Sequence, residues 1–401
     1  MNILFLAEQN FSLIGGTITY TKMLLKEFDK TKHNITFIYP SSMQEENIID
    51  GVSYIGLSVG CAWDEFLGWK YRHLFVLEVN RWLEIKLCNY KIDIIHILHG
   101  FFLLEGLNYK LLKRNGVSSL ITIHNIPPRE GGDSWKGDRL HLYFRNLFFQ
   151  YLRKLIFKYR LKRSNIDCFI VPSKPVLFDL RKLLMKQQQC ISIPHGFVDV
   201  NIVESIATTA IKKDGKVHLL TVGGIAPHKN QLMIPEIGIM LQNQNFDFEW
   251  NIIGPIRNSR YATALEQKIQ EFNLTDRVLL KYNVSNESLA NQYLNSSIYV
   301  HLSFEEGFCF TVLDAALYGL PIVGLNNIGE IPEIINRSKG CIVEKNSPSS
   351  FFSAIISIIN SEVQIDSDKI ESLRKYYSWK TSVQTLEDIY VRLKKHDNTD
   401  D

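Results

Sequence analysis

Two acidic residues lie on either side of a Gly-Phe corner in the carboxyl-terminal part of the chain. The stretch reads EEGFCFTVLDAALYG, with Glu306 before the corner and Asp314 in the apolar segment after it. That segment predicts a helix beginning near Thr311, whose free amides and partial positive charge favour a phosphate group. Carboxylates beside bound phosphate are suited to sugar hydroxyls. The pattern therefore indicates a nucleotide-sugar site. The alternative is that Glu306 caps the helix and Asp314 is solvated.

A lysine and two glycines follow another predicted strand. The stretch TVGGIAPHKN places Gly223, Gly224 and Lys229 directly after the apolar run VHLLTV. Open α/β sheets bind ligands at the carboxyl ends of their strands, and lysine is a compact cation suited to phosphate. We therefore interpret Lys229 as a phosphate ligand. A surface lysine in a polar turn is the alternative.

Two weaker signals lie in the amino-terminal part of the chain. The stretch IGGTITYTKML places Gly15 and Gly16 before a predicted helix, although paired glycines also occur in ordinary turns. The stretch SLITIHN ends a predicted strand at His124, which we expect to point into a cleft between two domains. The alternative for His124 is a hydrogen-bonded structural histidine.

The elements that must position these residues follow an α/β rhythm. Apolar runs such as NILFLA, ITFIYP, DIIHIL, SLITIH, DCFIVP and CISIP alternate with helical patterns, and a second series begins after a polar stretch near residues 200–214. This alternation predicts parallel sheets covered by helices. A chain of 401 residues also exceeds the usual size of a single core, so we expect two domains.

Composition excludes several classes of protein. Hydrophobic content of 45%, charged content of 22% and a net charge of +3 indicate a globular protein with no global signal for nucleic acid. There is no apolar run of membrane-spanning length and no secretory signal at MNILFLAEQN, so we expect a cytoplasmic location. The six scattered cysteines argue against disulfides and a zinc site, and we interpret them as buried thiols.

The segment 139–163 is locally basic and rich in aromatic residues. It reads RLHLYFRNLFFQYLRKLIFKYRLKR and contains no acid. This composition is typical of a helix that lies on an anionic membrane surface. We therefore predict peripheral attachment of the protein at the inner face of the cell membrane. The alternative is a core-packed helix whose charges face solvent.

In their order along the chain, these motifs resemble glycosyltransferase family 4. The resemblance covers most of the chain and rests on GG after the first strand, DIIHILH, TIHN, DCFIVPSKPV, IPHGF, VGGIAPHKN, the long segment from SNESLANQYLNSS to YGLPIVG, GEIPEII and a terminal SW helix. It implies the GT-B fold, an α/β architecture of two Rossmann-like domains facing each other across a cleft. Residues 1–205 would bind the acceptor and residues 206–377 the nucleotide sugar, with a helix at about 378–395 packing back on the first domain.

The resemblance also implies roles for individual residues. The family's acids occur as E-x-x-x-x-x-x-x-E, and Glu306 and Asp314 fit that spacing. Glu306 would contact the donor sugar, Asp314 the ribose and Lys229 the diphosphate, while His124 would lie beside the reacting sugar. The expected catalytic residues are His124, Glu306 and Lys229, and the expected donor-binding residues are Gly16, Gly223, Gly224, Lys229, Glu306, Gly307, Phe308, Cys309, Phe310 and Asp314.

Three departures from the family pattern affect the site. Gly224 stands where the family usually has an arginine that binds the diphosphate, Cys309 replaces a usual glycine, and Asp314 is one methylene shorter than glutamate. Arg257 or Arg260, in the stretch GPIRNSR, could restore the missing charge.

The resulting hypothesis is a retaining hexosyltransferase that uses a UDP-sugar or another nucleotide-diphosphate sugar. Its acceptor would be a glycan or a lipid-linked glycan, in the synthesis of bacterial surface polysaccharide. We expect no metal and no cofactor, because Lys229 and the helix end would stabilise the departing diphosphate and the triplet Asp366-Ser367-Asp368 suits a helix cap. Alternatives are a nucleotide-sugar epimerase or phosphorylase of the same fold, or a non-catalytic nucleotide-sugar-binding subunit, which the missing arginine favours.

Overall fold

The structure is a computed structural model that describes residues 1–9, 15–60, 69–126, 140–186, 188–197, 215–361 and 367–397. Its contacts divide the chain into two compact units. The first contains Met1–Ile126, Arg153–Gly196 and Ser378–Asp401, and the second contains Pro127–Leu152 and Phe197–Tyr377. The predicted domain boundary between residues 205 and 206 lies outside the described residues, so it stays a prediction.

An eight-stranded sheet forms the centre of the first unit. Its strands are β1 (Asn2–Ala7), β2 (Asn34–Ser41), β3 (Glu45–Ile49), β4 (Val52–Ser58), β5 (Ile94–His99), β6 (Ser118–Thr122), β7 (Cys168–Val171) and β8 (Gln189–Ser192). They lie in the order β3-β4-β2-β1-β5-β6-β7-β8, and each pair is parallel except β3 with β4. The central strands are almost entirely buried, as expected when helices cover both faces of a parallel sheet.

The antiparallel edge is a hairpin that the sequence analysis missed. Asp50 and Gly51 join β3 to β4, with left-handed φ angles of 49° and 76°. An Asp-Gly pair with positive φ at both positions is typical of the two-residue turns that match the twist of paired strands. The stretch IIDGVSYIG therefore carried a signal for this hairpin.

Within the described residues, six helices connect the strands of this unit. They are α1 (Gly16–Glu27), α2 (Trp69–Lys86), α3 (Phe101–Gly106), α4 (Tyr109–Arg114), α5 (Leu140–Arg163) and α6 (Lys174–Arg181). Helix α6 shows how local sequence fixes a helix start. Ser173 accepts a hydrogen bond from the backbone of Val176, and a proline occupies the first turn, where its missing N–H costs nothing.

The second unit is built on a six-stranded parallel sheet. Its strands are β9 (Val217–Val222), β10 (Phe248–Ile253), β11 (Val278–Lys281), β12 (Ile298–His301), β13 (Ile322–Leu325) and β14 (Gly340–Val343), in the order β11-β10-β9-β12-β13-β14. Its helices are α7 (Ile234–Asn243), α8 (Ser259–Glu271), α9 (Asn286–Asn295), α10 (Phe310–Leu317), α11 (Ile331–Arg337), α12 (Pro348–Ile359) and α13 (Ser367–Tyr376). Asp366 of the Asp-Ser-Asp triplet lies outside the described residues.

The last helix, α14 (Trp379–Asp397), packs on the first unit. The Ser382 hydroxyl donates to the carbonyl of Pro194 at 2.7 Å, and the Tyr390 hydroxyl lies 2.6 Å from Nδ1 of His96. These bonds join α14 to β5 and to the segment that follows β8.

The sequence analysis also predicted buried cysteines and no segment of membrane-spanning length. Cys88 is exposed, so the prediction of buried thiols is wrong there, because this residue follows the end of α2 in a surface turn. Cys168, Cys190 and Cys309 are buried, Cys341 is half-buried, and Cys61 lies outside the described residues. Among the described helices, none is both long enough and apolar enough to span a membrane.

Candidate functional site

Lys229 lies on a tight loop after β9. A short 3₁₀ helix spans Pro227–Lys229, and Asn230 then adopts a left-handed φ of 59°. This turn directs the lysine back over the end of the strand, so that a β-carbon placed on Gly223 would lie 3.8 Å from Cδ and Cε of Lys229. The structure therefore brings Gly223 and Lys229 together at the carboxyl end of β9.

Glu306 is held between two cationic groups. Its Oε1 lies 2.5 Å from Nζ of Lys229 and 3.0 Å from Nε2 of His301. Burial would raise the pKa of Glu306, but the charges of Lys229 and His301 outweigh burial and hold it well below its usual range. Burial likewise opposes the charge of Lys229, yet Glu306 and Cys309 raise its pKa. Both residues are therefore ionised at neutral pH.

His301 is a site residue that the sequence analysis missed. It ends β12, and its Nε2 also lies 3.4 Å from Sγ of Cys309. Burial disfavours the imidazolium, but Cys309 and Glu306 outweigh that effect and raise the pKa of His301 to about 9. Its position at the end of a strand, directly before the acidic stretch, was the available signal.

His301, Glu306 and Cys309 also form a group whose ligand atoms lie within 4.8 Å of one another. A histidine, a carboxylate and a thiolate are ligands that suit Zn²⁺. However, the ammonium of Lys229 already lies against Glu306, and its charge opposes a second cation there.

The Gly-Phe corner ends in an unusual helix cap. Cys309 is the N-cap of α10, with a left-handed φ of 85° and no side-chain cap bond. Glu306 is therefore not the cap of this helix, which disfavours the purely structural interpretation of that acid. Phe308 is buried against Phe310 and Tyr377, so its backbone rather than its side chain would face a ligand.

Asp314 lies one turn into α10 and is half-buried. Its carboxyl group accepts no hydrogen bond from the described residues, and burial raises its pKa from 3.8 to about 7. A carboxyl group in this environment destabilises the protein when it ionises. Such a group is a candidate for ligand binding. The alternative that Asp314 is a fully solvated residue does not agree with its half-buried position.

His124 and Gly16 lie in the first unit, whereas Lys229, Glu306 and Asp314 lie in the second. Gly16 is the first residue of α1. The ring of His124 uses both nitrogens: Nε2 donates to the carbonyl of Leu98 at 2.8 Å, and Nδ1 lies 3.3 Å from Nε2 of His195. Burial lowers the pKa of His124 to about 4, so the imidazole is neutral.

The basic segment forms α5, and much of its apolar surface faces solvent. Its exposed large side chains are Phe144, Phe148, Phe149, Tyr151, Leu152, Leu155, Ile156 and Tyr159. Phe157, another aromatic residue of the segment that we predicted to attach to the membrane, is only 3% exposed and packs in the first unit's core, so its ring is not available to a membrane surface. Arg139 lies outside the described residues.

The fold is that of the GT-B glycosyltransferases. Sucrose-phosphate synthase from Thermosynechococcus elongatus superposes with a TM-score of 0.72 at 16% identity, over 98% of this chain and 99% of that chain. HepE of Anabaena, solved in complex with UDP, superposes with a TM-score of 0.68 at 14% identity, over 98% and 100%. This likeness confirms the predicted fold class.

Both parts of the chain match family descriptions. Residues 14–201 match Glycosyltransferase Family 4, and residues 204–377 match Glycosyl transferases group 1. The chain belongs to glycosyltransferase family 4, as its motifs predicted.

Two of the curated relatives match a smaller part of the chain. The GPI3 subunit of phosphatidylinositol N-acetylglucosaminyltransferase from Saccharomyces cerevisiae is 25% identical over 215 residues, which are 52% of this chain and 47% of that protein. The O-antigen chain mannosyltransferase RfbU of Salmonella typhimurium is 25% identical over 241 residues, 59% of this chain and 60% of that protein. The chain thus spans about half the length of the first of these relatives and 60% of the second.

Proposed function

We propose that this chain is a retaining glycosyltransferase that moves a hexosyl group from a nucleotide-diphosphate sugar to a glycan or lipid-linked acceptor. The observation that carries the proposal is the half-buried Lys229–Glu306 ion pair beside the first turn of α10. Only Oε1 of Glu306 is used by Lys229 and His301, and no other described residue bonds to the carboxylate. Oε2 is therefore available to a sugar hydroxyl.

In this proposal the protein contributes mainly electrostatic stabilisation. The bond between the anomeric carbon and the diphosphate oxygen breaks, and the departing diphosphate gains negative charge beside Lys229 and the amides at the start of α10. An acceptor hydroxyl attacks from the same face of the sugar and passes its proton to the leaving phosphate oxygen. Because the protein already supplies the positive charge, we propose that transfer needs no metal ion.

The nucleoside would extend along α10. We propose that Asp314 accepts hydrogen bonds from the ribose hydroxyls, and its unpartnered carboxyl group supports that role. We favour a UDP-sugar as the donor. The UDP complex of HepE supports this choice at the level of fold similarity, whereas GDP-mannose appears in the name of a curated relative from Caenorhabditis elegans.

A thermal-shift panel of UDP-, GDP- and ADP-sugars tests the donor. A specific donor stabilises the folded protein in proportion to RT ln(1 + [L]/Kd), so about 2.7 kcal/mol at a hundredfold excess over Kd. A shift with a UDP-sugar alone supports the proposal, and no shift with any nucleotide sugar contradicts it. The anomeric configuration of the product, read by NMR against that of the donor, tests retention.

The alternatives predict different products. An epimerase would convert or release the sugar without an acceptor, and a non-catalytic subunit would bind the donor without turnover. Slow release of nucleoside diphosphate without acceptor, accelerated by an added glycan acceptor, favours the transferase. Donor binding without any release favours the binding subunit.

We further propose an acceptor at the inner face of the bacterial cell membrane, with the protein in the cytoplasm and attached peripherally. The exposed aromatic and basic residues of α5 support attachment to anionic lipid. The O-antigen role in the name of RfbU supports a surface polysaccharide.

A further inference from the structure

Arg257 occupies the space above Gly224. A β-carbon placed on Gly224 would lie 2.7 Å from Cγ of Arg257, closer than real β-carbons approach other atoms. Lys229 lies over the neighbouring Gly223 in the same way, at 3.8 Å. Two cationic side chains therefore extend over the two glycines that follow β9.

Backbone hydrogen bonds fix the loop that carries Arg257. The N–H of Ile225 donates to the carbonyl of Pro255 at 2.9 Å, and the N–H groups of Arg257 and Asn258 both donate to the carbonyl of Ile225 at 3.1 Å. The side chain of Asn258 then caps α8 by accepting from Tyr261. The position of Arg257 relative to Gly224 thus follows from hydrogen-bonded backbone and a helix start.

The ends of β9 and β10 also approach each other closely, because a glycine follows β10. Gly254 follows β10 with a φ of 154°, and a β-carbon there would lie 2.2 Å from the carbonyl oxygen of Gly223. Only glycine allows this approach, which brings the loop after β10 against the loop after β9. The stem of Arg257 is thereby held beside β9, while Arg260 is an exposed residue of α8 itself.

The charge of Arg257 is available to a ligand. The residue is exposed, and its guanidinium forms no ion pair or hydrogen bond with the described residues. Lys229, by contrast, is neutralised in part by Glu306. A dianionic group over Gly223 and Gly224 would meet both side chains, and guanidinium groups bind phosphate oxygens in bidentate geometry.

We propose that Arg257 is the second cation of the nucleoside-diphosphate site and binds the diphosphate from the loop after β10. The inference rests on the proposed function and names a residue that the site would otherwise lack. It also explains the glycine at position 224, because the arginine stem needs the space that a side chain there would fill.

The first test measures nucleotide affinity by calorimetry with UDP, GDP and ADP, followed by the monophosphate and the nucleoside of whichever base binds. Arg257→Ala should weaken the binding of the nucleoside diphosphate roughly tenfold or more, the effect expected for loss of a hydrogen bond to a charged group. The affinity for the nucleoside should not change. Arg260→Ala, the matched control, should bind like wild type. Equal affinity of wild type and Arg257→Ala for the diphosphate overturns the proposal, as does an equal loss for the nucleoside.

The second test exchanges the two positions. Gly224→Arg alone should weaken the binding of the nucleoside diphosphate, because the new β-carbon would collide with the side chain of Arg257. The double variant Gly224→Arg/Arg257→Gly should bind the diphosphate better than either single variant, because the arginine at position 224 then has room and supplies the missing cation. Failure of this rescue, with both variants folded by circular dichroism, contradicts the packing argument.

Lys229→Ala separates this inference from the proposed function. If Lys229→Ala loses diphosphate affinity and Arg257→Ala does not, the site stands and Arg257 is not part of it. If wild type binds none of the three nucleotides, the proposed function fails and the role of Arg257 fails with it.

Discussion

Asp314→Asn should stabilise the free protein while it weakens nucleotide binding. In the folded state, burial raises the pKa of Asp314 from 3.8 to about 7. A carboxyl group whose pKa is raised on folding destabilises the folded state once the pH rises above its pKa in the unfolded state. The destabilisation is complete when the pH exceeds its pKa in the folded state. The shift corresponds to about 4 kcal/mol. Solvent still reaches part of this residue, so we expect roughly half of that, about 2 kcal/mol.

The binding effect has the opposite sign. If the carboxylate accepts hydrogen bonds from ribose, its loss should cost roughly 1.5 to 3 kcal/mol of nucleotide affinity. The loss should be equal for the nucleoside diphosphate and the intact donor, since both contain the ribose. Binding should also release a proton near pH 7, because contact with hydroxyl donors lowers the pKa of the carboxyl group.

Denaturant unfolding and calorimetry together decide the matter. The stability gain of Asp314→Asn should be present at pH 8 and absent near pH 4, and the proton release should disappear in the variant. Glu306→Gln is the comparison variant: it should not weaken nucleoside-diphosphate binding, because the proposed partner of Glu306 is the sugar and the charge of Lys229 is then no longer neutralised in part. Unchanged nucleotide affinity in Asp314→Asn, with the pH-dependent stability gain intact, would refute the ribose role but not the burial argument.

Three further predictions concern other parts of the molecule. His124→Ala should lower kcat with little change in donor KM if the ring contacts the reacting sugar; a fall in Tm with unchanged kcat would instead make His124 structural. The folded state raises the pKa of His301 to about 9. His301→Asn should therefore reduce the free energy of unfolding by up to about 3 kcal/mol below pH 6.5, and by progressively less towards pH 9. If denaturant unfolding shows a loss of stability that does not depend on pH, the ion pair between His301 and Glu306 is contradicted. Replacing Lys154, Lys158 and Lys162 of α5 by glutamine should weaken binding to anionic vesicles roughly a hundredfold, at about 1 kcal/mol per cation, whereas the same change at Lys110, Lys113 and Arg114 should have little effect; equal co-sedimentation with neutral and anionic vesicles contradicts membrane attachment.

Local sequence was sufficient for most elements of the fold. Strands buried on both faces are continuous apolar runs, and helix starts carry caps such as Ser173, so each is visible within a few residues. The hairpin of β3 and β4 was missed because β3 is largely exposed and lacks an apolar run. The burial of Phe157 among exposed neighbours on α5 depends on which face of that helix meets the core.

The sequence by itself determined the two α/β series, the family and the positions of Lys229, Glu306, Asp314 and His124 at the ends of strands or the start of a helix. Only the tertiary structure decided how these residues are paired. Lys229 and Glu306 are 77 residues apart in the chain, and His301 joins them through the end of another strand. Protonation followed from the same packing, since the pKa of His301, Asp314 and Glu306 depends on burial and on neighbouring charges. Burial and charge proximity are set by contacts between distant segments, and no local pattern contains them.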